Sequence, residues 1–127
     1  MRGGNHSMTT RAPALLLALA LLMPAHAAAA ETRVDPAVYA AWRAIRQLDC
    51  ARCHGRDYTG SVGGSLLESA RTRSRDEFVR LVLDGNPTRG MPPYRGITLA
   101  VENADGMYAY FRGRVDGTVP AGTLVRE

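Results

Sequence analysis

The apolar positions along this 127-residue chain fall into blocks of different character. From Ala12 to Met23 they are nearly continuous, and the block stops at Pro24 and a run of small residues, Ala25-His26-Ala27-Ala28-Ala29-Ala30. Further on they recur at helical spacing. Val38, Trp42 and Ile45 follow Asp35, a good N-cap, and Pro36, which fits a first helical turn, so a first helix is predicted to lead up to Cys50. Ser74-Arg75-Asp76-Glu77 has the form of a capping box in front of Phe78, Val79, Leu81, Val82 and Leu83, with Gly85 as the stop of a second helix. A last helix spans roughly Val101 to Arg112, with Ala104, Met107, Tyr108 and Phe111 on one stripe. Gly106 inside it carries a propensity cost of about 1 kcal/mol, which predicts the close approach of another helix.

Between these blocks the pattern breaks. Residues 55–64 are dense in Gly, Asp, Thr and Ser and predict an irregular loop, with Gly60, Gly63 and Gly64 suited to turns of positive φ. Asn86 to Pro93 contains Pro87, Pro92 and Pro93, which excludes a regular helix and predicts a long, stiff loop carrying Met91. From Val115 to Glu127 the tail is punctuated by Gly and Pro and is predicted to wrap the surface. There is no internal repeat. The pattern predicts an all-α domain of three to five short helices joined by long loops.

Residues 1–30 read as a secretory signal peptide rather than as part of that domain: Arg11 precedes the apolar run, and small residues occupy the cleavage region, after Ala27 or Ala30. The rival reading is an uncleaved membrane anchor, for which the run falls short of the roughly 20 residues a span needs. The domain is then 31–127, and export places it in the periplasm. Composition, 46% hydrophobic and 22% charged, is that of one ordinary globular domain.

Removing the leader changes the census of chemically capable residues. The remainder has one histidine, His54, two methionines, Met91 and Met107, and 14 Arg against 12 Asp and Glu, a net charge of +2. The basic character of the full chain is therefore overstated, and nothing resembles a nucleic-acid-binding patch. A domain of this size buries a modest fraction of its surface and gains from a covalent staple, a metal or a large cofactor.

Cys50-Ala51-Arg52-Cys53-His54 is the attachment signature for a c-type haem. Two thiols on successive turns of backbone can add to the two vinyl groups, and the adjacent imidazole then lies beneath the ring where it can bind iron. Three other readings compete. Structural zinc needs four ligands, and only Cys50, Cys53 and His54 remain unless an Asp or Glu completes the set. A thioredoxin-like dithiol follows a strand in a βαβ unit, whereas here a helix precedes the motif. Chance occurrence is weakened by the export signal. For the sixth iron position the candidates are Met91, Met107, water or a substrate. Met91 is preferred because its Pro-rich loop can be fixed at a defined distance, while Met107 falls on the apolar stripe of a helix.

Cys50 to Gly55, Gly90-Met91-Pro92-Pro93-Tyr94 and the final helix with Met107 to Phe111 together resemble the small class I cytochrome c family over nearly all of residues 31–127. The resemblance implies a small cytochrome c fold, with helices wrapped around one covalently bound haem c. It implies that Cys50 and Cys53 form the thioethers, that His54 is the proximal ligand and Met91 the distal one. It also implies that the first and last helices cross near Trp42, Gly106 and Tyr110. Where the family often has Gly-Pro-x-Leu, with the proline carbonyl accepting the imidazole N–H, this chain has Gly63-Gly64-Ser65-Leu66. Gly64 and Leu66 are therefore expected around the haem, with the Gly64 carbonyl in the proline's place but without its fixed φ.

Phe78 to Tyr94 and Tyr108 to Gly117 resemble, more narrowly, small cytochromes that accept electrons from pyrroloquinoline-quinone alcohol dehydrogenases. That implies such a donor, and a terminal oxidase or another cytochrome as acceptor. The expected function is electron transfer between redox proteins, not catalysis; within residues 31–127 there is no histidine beyond His54 to serve as acid or base. The alternatives are a haem enzyme or gas-binding sensor with an open sixth position, and a subunit held permanently by one dehydrogenase.

Overall fold

The structure is a computed structural model that describes residues 3–4 and 32–126. The expected leader, residues 1–30, lies outside the described residues apart from Gly3 and Gly4. The described elements are β1 (Thr32–Val34), α1 (Pro36–Gln47), α2 (Ala51–His54), α3 (Leu66–Thr72), α4 (Arg75–Asp84), a 3₁₀ turn (Pro87–Arg89), α5 (Thr98–Asp116) and β2 (Leu124–Arg126). Among the described residues no helix is long and apolar enough to cross a membrane.

The predicted helix starts are in place because local chemistry sets them. Asp35 Oδ1 accepts from the Ala37 N–H at 2.7 Å ahead of Pro36, and this satisfies an otherwise orphaned donor of α1. Ser74 and Glu77 form the full capping box of α4, each side chain accepting from the other's backbone N–H. The Ser74 N–H and hydroxyl, both donating to the Glu77 carboxylate, hold it below its ordinary range.

α1 and α5 pack through Gly106. A Cβ there would lie 2.7 Å from the Ala37 carbonyl oxygen and 2.9 Å from Ala41 Cβ, so the helix backbones touch at this point. Tyr110 is buried beside the crossing, and Trp42, half-buried, stacks under the Arg46 guanidinium at 5.0 Å. Aromatic rings continue the core across α4 and α5. Phe111 meets Tyr58 edge-on at 5.2 Å and Phe78 at 6.0 Å, and Phe78 in turn meets Tyr108.

Four details depart from the sequence expectations. α5 begins at Thr98 and runs to Asp116, past Gly113, which does not end the helix. A Cβ at Gly113 would strike Val119 Cγ2 at 2.5 Å, so this glycine admits the returning tail; the stop is Gly117, at φ +78°. α3 follows directly on the glycine loop, with Ser65 Oγ accepting from Glu68 N–H at 3.0 Å. The proline-rich segment contains one 3₁₀ turn, permitted because Pro87 sits where no N–H is required. Finally, the tail returns to the start of the domain: β2 pairs with β1 in parallel, Thr32 opposite Leu124 and Val34 opposite Arg126. Three-residue strands are too short to leave a period-two signal.

The α1–α5 contact yields a test. Gly106→Ala gains up to about 1 kcal/mol of helix propensity but must push the two helices apart, which costs about 1–3 kcal/mol. Thermal denaturation of the intact protein is expected to show net destabilisation.

Candidate haem-binding cleft

The motif sits on a single helical turn positioned by the end of α1. Leu48 N–H closes α1 onto Ala44, and Asp49 then adopts φ +53°, a left-handed geometry that Asp tolerates better than most residues. This reversal lets Cys50 N–H bond back to the Ile45 carbonyl and makes Cys50 the N-cap of α2. Cys50 is half-buried and Cys53 exposed, and the two thiols are not joined. Burial pushes the Cys50 thiol up to about 11, so it carries almost no thiolate at neutral pH. That is the reverse of the activated cysteine of a redox dithiol.

The glycine loop holds His54. Its Nδ1 donates to the Gly64 carbonyl at 2.6 Å, since a carbonyl only accepts, and the tautomer leaves the Nε2 lone pair available to a metal. The loop is drawn onto the imidazole by Gly63 N–H to Cys53 O at 2.7 Å and Gly60 N–H to His54 O at 2.9 Å. Of the three glycines expected at positive φ, only Gly60 (φ +109°) has it; Gly55 (φ +84°) is the other such position in this loop. Gly63 serves a different purpose. A Cβ there would lie 3.0 Å from both Cε1 and Nδ1 of His54, so the residue lets backbone lie against the ring. Leu66, buried, follows at the start of α3.

Met91 approaches from another part of the chain. Asn86 and Met91 exchange two backbone hydrogen bonds, of 2.9 and 3.1 Å, that close the loop around the 3₁₀ turn. The base of this loop lies on Gly85, where a Cβ would be 2.5 Å from the Pro92 oxygen and 2.7 Å from that of Met91. Tyr94 and Arg95 N–H both donate to the Leu83 carbonyl, and Arg95 Nε to Asp84 at 2.9 Å. Met91 is thereby tied to the end of α4. Met107 is 2% exposed, a core residue of α5 that reaches the same space.

These elements enclose a cleft of about 560 Å³, bordered by Cys50, Cys53, His54, Gly64, Leu66 and Met91 among others. Its wall also includes Ile45, Phe78, Val82 and Phe111. The donors suit a haem: two unpaired thiols, one imidazole with a fixed tautomer, one thioether and apolar walls. They suit zinc poorly, since among the described residues no cluster of three or more His, Cys, Asp or Glu could hold a metal ion. Every site residue expected from sequence lies on this cleft. Gly63 and Gly85, expected as a turn and a helix stop, matter here sterically, and Arg73 and Arg89, which border the cleft, carry no signal in the sequence.

The family model described as cytochrome c oxidase, cbb3-type, subunit III matches residues 37–111, from α1 into α5. The chain is similar to a cytochrome c-555 of Methylococcus capsulatus, at 39% identity over 119 residues that cover 93% of this chain and 92% of that protein. The chain belongs to the small class I c-type cytochromes. It is also similar to a cytochrome c55X of Pseudomonas aeruginosa, at 37% identity over 86 residues, or 66% of this chain and 72% of that one. Among solved structures it resembles the c-type cytochrome XoxG from Methylobacterium extorquens AM1, with a TM-score of 0.67 and 25% identity. That match covers 76% of this chain and 62% of XoxG, so the chain spans less than two thirds of XoxG. The cytochrome accordingly carries one haem c and functions in electron transport.

The two loop glycines separate packing from flexibility. Gly63→Ala presses on the imidazole and is expected to destabilise the haem-loaded cytochrome by about 1–3 kcal/mol. At Gly64 a Cβ meets nothing within 4 Å and φ is not positive. Gly64→Ala is expected to be neutral or stabilising by up to about 1 kcal/mol. Denaturant titration of both variants measures the contrast.

Proposed function

We propose that this cytochrome is an exported periplasmic carrier in which Cys50 and Cys53 form the thioethers and His54 and Met91 are the axial iron ligands. The observation that carries this reading is the pairing of His54, its Nδ1 bound to Gly64, with a Met91 loop anchored on Gly85, both on one apolar cleft. When bound, the haem supplies a one-electron ferric–ferrous couple. The chain's residues do the rest. His54 presents Nε2, and its bond to Gly64 raises the basicity of the ring. Met91 presents a thioether, which favours ferrous iron and closes the sixth position to small molecules. Ile45, Phe78, Val82 and Phe111 keep water from the buried side of the cleft.

Periplasmic location is supported by the apolar run of residues 12–23 and the small residues after it. A quinoprotein alcohol dehydrogenase as donor is supported by the resemblance of Phe78 to Tyr94 and Tyr108 to Gly117 to cytochromes that serve such enzymes. A terminal oxidase or another cytochrome is the acceptor. Partner encounters are brief, as befits the small contacts of electron-transfer pairs.

Met91→Ala tests the ligand assignment. Mass spectrometry of the purified variant should still show covalent haem, while the visible spectrum loses its low-spin thioether character. The ferrous form should be disfavoured by at least about tenfold, equivalent to ~59 mV for one electron. A spectrum and potential equal to wild type would contradict the assignment.

A further inference from the structure

We infer that Arg73 and Arg89 form the carboxylate-binding end of the cleft, where they hold the two haem propionates and help to set the potential. The inference rests on the haem attachment proposed above. A haem carries its propionates on the edge opposite its vinyl groups, so fixing the vinyl edge at Cys50 and Cys53 sends two carboxylates away from α2. Arg73 and Arg89 are both exposed, and a carboxylate at the open side of the cleft pairs best with a guanidinium. Among the residues bordering the cleft, the only cationic side chains are Arg73 and Arg89, apart from the imidazole of His54. They come from the α3–α4 corner and the 3₁₀ turn, not from the segment that carries the thiols.

Neither arginine makes an ion pair among the described residues, although Arg73 stands near the exposed Glu77 carboxylate. Arg71 pairs with Glu68, Arg75 with Asp76 and Asp105, and Arg95 with Asp84, while Arg80, unpaired like Arg73 and Arg89, does not border the cleft. Arg73 is also oriented. Its Nε donates to Ser69 Oγ at 3.1 Å, and Ser69 borders the cleft as well. The two terminal amino groups make no hydrogen bond among the described residues, which leaves them to grip a carboxylate. The Tyr108 hydroxyl donates to the Arg73 carbonyl at 3.4 Å and ties this corner to α5. Arg89 is held differently, by its N–H to Asn86 O at 2.9 Å in the closed loop that ends at Met91. A propionate on Arg89 therefore braces the loop that presents the thioether. Among the described residues on the cleft the only acidic side chain is Asp49, next to Cys50 in the chain.

The test is a redox titration of the haem-loaded protein at constant pH and ionic strength. Variants are Arg73→Gln, Arg89→Gln, Arg73→Lys and Arg89→Lys, with Arg80→Gln as control. Arg80 shares an outer surface depression with Arg73 but does not border the cleft. Ferrous iron carries the extra electron and is favoured by a nearby cation. At the wild-type midpoint, each Gln variant should lower the ferrous-to-ferric ratio by about threefold, the size expected for one charge at roughly 10 Å in a partly screened medium. The Lys variants should recover most of that loss, and Arg80→Gln should match wild type. Equal ratios in wild type and both Gln variants, with haem covalent and low-spin, would overturn the propionate assignment alone. Wild-type protein without covalent haem would overturn the attachment reading and this inference with it.

Discussion

The hydrogen bond from His54 Nδ1 to the Gly64 carbonyl is the constraint on which the cleft depends. It selects the tautomer that leaves Nε2 free, fixes the plane of the imidazole and closes a ten-residue loop against the motif. The loop reaches that geometry only because its backbone can lie against the ring, which requires Gly63 to lack a Cβ. Gly55, with φ +84° and its missing Cβ 2.9 Å from the Gly60 carbonyl, allows the chain to leave α2 in the required direction. Hydrogen bonds from Gly63 N–H to Cys53 O and from Gly60 N–H to His54 O hold the loop in place.

The opposite wall is built on the same principle of backbone contact. Gly85 ends α4 and receives the carbonyls of Met91 and Pro92, while the Asn86–Met91 bridge closes the loop between them. Methionine is a flexible side chain, so a thioether meant to face one point needs a backbone with little freedom. The two walls are joined by the α1–α5 contact at Gly106 and by the aromatic core of Tyr58, Phe78, Tyr110 and Phe111. A large cofactor completes a core that about ninety-odd residues would otherwise fill only modestly.

The sequence disclosed the chemistry more fully than the geometry. Cys50, Cys53, His54 and Met91 stand out because few residue types bind haem and residues 31–127 hold no histidine besides His54. The capping residues Asp35 and Ser74 announced their helices, and Gly106 announced a close approach through its cost inside a helix. What stayed hidden depends on contacts distant along the chain. The last helix reads as ending near Arg112, and only the folded chain shows Val119 filling the space of the absent Cβ of Gly113 inside it. Gly63 reads as a turn glycine, although it has no positive φ and is needed so that backbone can lie against the His54 ring. The β1–β2 pair joins two three-residue segments from opposite ends of the domain, and that Arg73 and Arg89 border one cleft emerges only in the folded chain.

The central claim is a closed, six-coordinate iron held between His54 and Met91. Addition of carbon monoxide to the chemically reduced, haem-loaded cytochrome at neutral pH tests it most directly. The visible spectrum is predicted to remain that of the reduced low-spin form after mixing, because the thioether already occupies the sixth position. An immediate spectral shift to a carbon monoxide adduct would contradict the account and identify an open site.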